Sequence, residues 1–102
     1  QERSYSLKKK NMYNVKFFKR AKEQYINIWK YIAEDNLFYA NEVLNKIDDS
    51  IETILQFPNI WTKIDNIYRK IVEPNYKFKI VYRISKETIN IVWIYREQNS
   101  WK

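Results

Sequence analysis

From Tyr76 to Ile84 the side chains alternate: Tyr76, Phe78, Ile80, Tyr82 and Ile84 fall on one side and Lys77, Lys79, Val81 and Arg83 on the other. A period of two marks a strand with one buried face, so a strand is predicted over Tyr76 to Ile84. The same reading gives strands at Ile67 to Glu73 and Thr88 to Arg96, and a first strand in YNVKFF just after Met12. In the last strand Ile89, Ile91, Trp93 and Tyr95 alternate with Asn90, Val92, Ile94 and Arg96. Both of its faces are largely apolar, which predicts a central position and puts Trp93 in the core with Ile91.

Between the first strand and the others the period changes to that of a helix. Ala21, Tyr25, Ile28, Trp29 and Ile32 make one apolar stripe in a helix expected over Lys19 to Asp35, and Asp35 with Asn36 supplies the turn. Ala40, Val43, Leu44, Ile47, Ile51, Ile54 and Leu55 make a second stripe, over Phe38 to Phe57. Pro58 ends it by disfavouring helical angles at Phe57. After a loop at PNIWTKIDN, where Trp61 reads as an anchor, the remaining strands follow.

The order β-α-α-β-β-β predicts an α+β domain: an N-terminal strand, an antiparallel helical hairpin, then a three-stranded antiparallel meander. Two helices cover one face of the resulting four-stranded sheet. Trp29, Leu44, Ile51, Ile80 and Ile91 are expected in one core. The other face, carrying some of Lys70, Lys77, Lys79, Arg83 and Arg96, is left to solvent or a partner.

The chain of 102 residues with 45% hydrophobic residues supports one core, assigned to 12–102, with 1–11 expected as a flexible extension. It contains no glycine, so tight primed hairpins are expected to be few and loops to keep ordinary backbone angles. There is no cysteine for disulfide or thiolate chemistry and no histidine to act as the usual general base or metal ligand. No metal site and no cofactor are expected. No apolar run approaches the ~20 residues of a membrane span, and the reading is a cytoplasmic protein that does not engage a membrane.

The net charge of +7 is unevenly spread. Residues 34–56 hold six acids against Lys46 alone, whereas residues 60–102 hold nine bases against four acids. A basic face suits a polyanion or an acidic peptide, although a solvated charged surface explains the same composition. Asp48 and Asp49, adjacent and pointing about 100° apart on a helix, read as a solvated helix face rather than a metal site.

Several segments in order carry a family resemblance. They are WKYIAEDN ending the first helix, Ala40 opening the second, LQFP closing it, YRK at 68–70, the pattern Y-x-F-x-I-x-Y-R from Tyr76 to Arg83, and INIVWIYREQN near the end. Over residues 12–102 the chain resembles the RelE/ParE superfamily of type II toxins. The resemblance implies a small sheet packed on a helical hairpin, and a growth-inhibiting toxin, of the kind that stabilises plasmids, held inactive by a cognate antitoxin. ParE-like members inhibit DNA gyrase; RelE-like members cleave mRNA on the ribosome. The long helical hairpin and the early Ala40 look ParE-like.

RNA cleavage needs a group to take the 2′-OH proton, cations for the developing phosphorane charge and an acid for the leaving oxygen. The candidates for that alternative are Arg69, Lys70, Arg83, Tyr95 and Arg96, with Glu73 or Tyr82 as further proton carriers. Several RelE-like nucleases place histidine near the last strand, where this chain has Tyr95-Arg96-Glu97. The absence of histidine weighs against an enzyme. For antitoxin or target binding the candidates are Lys77, Lys79, Arg83 and Arg96. A third class, a basic nucleic-acid-binding module without catalysis, would want aromatic rings on the basic face, whereas the alternation places them on the other.

Overall fold

A computed structural model describes residues 13–96. The expected extension at 1–11 and the end of the chain from Glu97 lie outside the described residues. The elements are β1 (Asn14–Phe17), α1 (Lys19–Ala33), α2 (Leu37–Gln56), β2 (Thr62–Lys63), β3 (Tyr68–Val72), β4 (Phe78–Ser85) and β5 (Thr88–Arg96). The sheet has five strands in the order β1-β5-β4-β3-β2. The two-residue β2, antiparallel to β3, adds an edge to the four strands expected. The sheet is also mixed: β3, β4 and β5 form the antiparallel meander, but β1 runs parallel to β5. A parallel pair cannot be closed by a hairpin, and the helices and the rest of the meander supply the long connection between β1 and β5.

The two helices pack on one face. Ala21, Val43, Ile47, Ile51, Ile54 and Leu55 meet Ile71, Phe78, Ile80, Tyr82, Ile89, Ile91 and Ile94 in a single core. Leu44 lies partly buried against it. Trp29 does not belong to this core: its indole Nε1 donates to Asn41 Oδ1 at 2.8 Å, so it ties α1 to α2 at the rim. The inward line of α1 is Ala21, Tyr25, Ile28 and Ile32. Asp48 also departs from its expected solvated position. It is buried and accepts a hydrogen bond from the Tyr25 hydroxyl at 2.8 Å, a polar link between the helices. The turn forms as expected, and the Asn36 side chain caps α2 by accepting from Tyr39 N at 2.9 Å. Trp61 packs against the core as the loop anchor.

Three features of the sheet differ from simple alternation. Tyr76 and Lys77 lie in the β3–β4 connection, not in the strand, and Lys77 adopts φ 64°. The β4–β5 hairpin is a tight two-residue turn at Lys86 and Glu87, with Lys86 at φ 57° and Ser85 paired with Thr88. In the absence of glycine, lysine takes both left-handed positions, contrary to the expectation of ordinary loop angles. The third difference is a bulge. Val81 pairs with Trp93 but Tyr82 pairs with Ile91, so Val92 is an extra residue on β5. One inserted residue reverses the inside-outside sense of all that follow. Ile94 therefore enters the core, and Trp93 with Tyr95 turns to the opposite face.

Candidate functional site

The face left open by the helices is where the bulge has its effect. Directly paired residues share a face, so Lys70 and Val81, Val72 and Lys79, Lys79 and Tyr95, Val81 and Trp93, and Tyr68 and Arg83 all project onto it. Lys16, paired with Asn90, joins them from β1. The floor is an open apolar groove of about 820 Å³ whose walls include Phe18, Ile64, Tyr68, Val81, Trp93 and Tyr95. The rings of Trp93 and Tyr95 lie 5.1 Å apart, centroid to centroid. Cations ride on them: the Arg20 guanidinium is 4.9 Å from the Trp93 ring and the Lys79 ammonium 5.9 Å from the Tyr95 ring. The expectation that the aromatic residues face away from the basic residues therefore fails for the half of β5 beyond Val92.

The β1 strand pairs with β5 only as far as Ile91, after which Phe18 N donates to Ile91 O and the chain turns into α1. That turn delivers Lys19 and Arg20 to the groove. Further along β5, beyond the end of β1, Ile94 N donates to Gln24 Oε1 of α1 at 2.7 Å. The helix thus holds the bulged strand in place without covering its outer face.

The sequence-derived site residues divide between the two faces. Lys70, Lys79, Arg83 and Tyr95 lie on the open face. Arg69 pairs with Tyr82 on the helix side, is partly buried, and donates from Nη1 to Trp61 O at 2.8 Å. Arg96 pairs with Phe78, its guanidinium 4.8 Å from that ring, and donates from Nη1 to Tyr76 O at 3.4 Å. Lys77 is exposed in the turn. The two other proton-carrier candidates are engaged in structure. Glu73 is fully buried and its carboxylate accepts from Asn75 N and Tyr76 N, both at 2.7 Å, which closes the β3–β4 turn. Tyr82 is fully buried with its hydroxyl donating to Pro58 O at 2.6 Å, and burial pushes its pKa up to about 12 against an opposing pull from Arg69.

Residues not singled out from the sequence complete the face: Lys16, Phe18, Arg20, Ile64 and Tyr68. Arg20 is placed by the strand-to-helix junction and Ile64 by the edge loop, neither of which has a periodic signal. For Trp93 a signal did exist, because the unbroken apolar run Ile91-Val92-Trp93-Ile94 suits a bulge as well as a central strand. Among the described residues no group of acidic side chains is arranged to hold a metal ion, and no helix is long and apolar enough to cross a membrane.

Comparison with known proteins points the same way as the fold. The family described as ParE toxin of type II toxin-antitoxin system, parDE, matches residues 15–101. Among solved structures, a chain of the chromosomal ParDE system from P. aeruginosa is similar with a TM-score of 0.73 and 17% identity, over 87% of this chain and 100% of that one. A chain of the intact E. coli RelBE toxin-antitoxin complex gives 0.64 and 14%, over 85% and 99%. The YoeB dimer from Staphylococcus aureus gives 0.59 and 17%, also over 85% and 99%. No curated protein matches. At these identities the structural likeness speaks for the fold.

Proposed function

The chain belongs to the ParE toxin family of type II toxin–antitoxin systems, and on that footing we propose that it inhibits DNA gyrase by stoichiometric binding. A cognate antitoxin holds it inactive by laying a segment over the open sheet face. That segment would carry apolar side chains for the groove and acids for Lys16, Arg20, Lys70, Lys79 and Arg83 around it. The observation behind the antitoxin site is the groove itself: an apolar floor with cations over its rings, on the face the helices leave free.

Binding rather than catalysis is favoured by the division of the candidate groups. A nuclease must bring charge stabilisers and proton carriers to one scissile phosphate. Here Arg69 and Arg96 lie on the helix side while Lys70, Arg83 and Tyr95 lie on the open side, and Glu73 and Tyr82 are committed to the turn and the core. The alternative, ribosome-dependent mRNA cleavage, draws on Lys79 beside Tyr95, an adjacent cation and phenol on the open face. Purified protein freed of antitoxin is expected to block gyrase supercoiling at near-equimolar ratio and to leave ribosome-bound mRNA intact. Site-specific mRNA cleavage that disappears with Lys79→Ala would replace the gyrase reading with the nuclease one.

A further inference from the structure

The turn between the two helices carries an apolar knob beside two acids. Asp35 N and Asn36 N both donate to Ile32 O, and Asn36 Oδ1 accepts from Tyr39 N, so the turn is held by its own hydrogen bonds. Every residue from Glu34 to Tyr39 is exposed. Leu37 and Phe38 stand at 57% and 77% exposure, and Tyr31 in the last turn of α1 at 71%. Tyr39 is drawn back against the Tyr76 ring, with centroids 5.5 Å apart, which leaves Leu37 and Phe38 as the apolar point of the hairpin. Glu34 and Asp35 directly precede them in the turn. Single exposed apolar side chains are ordinary, but a contiguous group on a fixed turn marks a contact surface.

The groove on the open sheet face has the complementary composition. Its floor is apolar, and the charged residues of its wall are Lys19 and Arg20, with no carboxylate among them. We infer that the hairpin tip of one molecule docks in the groove of a second copy of this chain, with Phe38 and Leu37 on the apolar floor and Glu34 and Asp35 against the cations at its rim. The uneven charge of the chain supplies both halves of the contact, the acids from the helical hairpin and the bases from the sheet face and the start of α1. A molecule cannot reach its own groove. The helices pack on the opposite face of the sheet, and α1, whose start lines the groove, carries the tip about 22 Å away over its fifteen residues. Because the two patches differ, every added copy leaves one tip and one groove free, so the association is head-to-tail and open-ended rather than a closed dimer. A tip this small buries less than the ~1,200 Å² of a standard interface, so the contact is weak and reversible. It masks the groove assigned above to the antitoxin but requires no antitoxin, and either reading can fail alone.

Sedimentation velocity of the purified full chain without antitoxin, over a series of protein concentrations, tests this. At low salt the weight-average mass should climb past that of a dimer as concentration rises, and moderate added salt should lower it. Phe38→Ser and Arg20→Glu, both at exposed positions, should each weaken association by about tenfold or more. Mixing these variants isolates the contact: Phe38→Ser keeps a working groove and Arg20→Glu a working tip, so the mixture should form a one-to-one pair that grows no further. Phe57→Ser, which removes an exposed aromatic ring at the far end of α2, should leave association unchanged. A mass that stays monomeric or stops at the dimer, an equal loss in Phe57→Ser, or a mixture no more associated than either variant alone overturns the inference.

Discussion

Tyr82 shows how one side chain serves the fold at the expense of chemistry. Its ring fills the centre of the core, and its hydroxyl holds the α2–β2 loop through Pro58 O. An unfolded phenol titrates near pH ~10, whereas the folded one is pushed up to about 12, so folding favours the protonated form. The resulting stability is fully present below pH ~10 and is lost between about 10 and 12, up to roughly 3 kcal/mol. Tyr76, raised by burial and by Glu42, acts in the same direction. Denaturant unfolding at a series of alkaline pH values should show this decline, and Tyr82→Phe should be less stable at neutral pH by about 1 kcal/mol while declining less steeply above pH 10. An equal slope in both proteins would show that the phenol is not the titrating group. Lys77 and Lys86 make a related point about backbone: each occupies a left-handed conformation that costs a non-glycine residue roughly 1–2 kcal/mol, a cost offset by the strand pairs on either side.

At the level of elements, the bulge in β5 determines what the open face contains. With strict alternation Trp93 and Tyr95 would face the helices and Ile94 the groove; with Val92 inserted, Ile94 is fully buried and the two rings line the groove. Deleting Val92 should therefore be far worse than truncating it. The deletion withdraws Ile94 from the core and forces an indole into its place, with an expected loss on the order of 4 kcal/mol or more. Val92→Ala, which keeps the extra residue, should cost about 1 kcal/mol. Chemical denaturation of the two variants makes the comparison, and a deletion as mild as the truncation would mean the register re-forms without the bulge.

For the whole molecule, the uneven charge becomes a spatial division. The acids cluster on the helical hairpin, while Lys16, Lys70, Lys79 and Arg83 gather on the opposite sheet face. A field of this form steers an acidic partner towards the sheet and raises its association rate. Added salt should slow antitoxin association more than it hastens dissociation, and the double change Lys79→Glu with Arg83→Glu should slow association at low salt by about tenfold or more. Stopped-flow mixing measures both rates. Unchanged association in the charge-reversed protein would move the docking site away from this face.

Periodicity alone was enough to predict both helices, the three meander strands and most of the core, because burial of a stripe or a face leaves a local signature in the order of residues. Pro58 and Asn36 marked the ends of α2 for equally local reasons, one steric and one a hydrogen bond within three residues. The family resemblance, too, could be read from short segments. The contents of the open face could not. Whether Trp93 points in or out depends on a register between β4 and β5, and a register is settled by pairing energy summed over two strands rather than by either sequence. The parallel return of β1, the rim position of Trp29 and the pairing of Tyr25 with Asp48 likewise depend on how separate elements meet. The sequence by itself determined the elements and the side each was meant to bury; the tertiary structure decided which side chains remained outside together, since that depends on contacts between residues far apart in the chain.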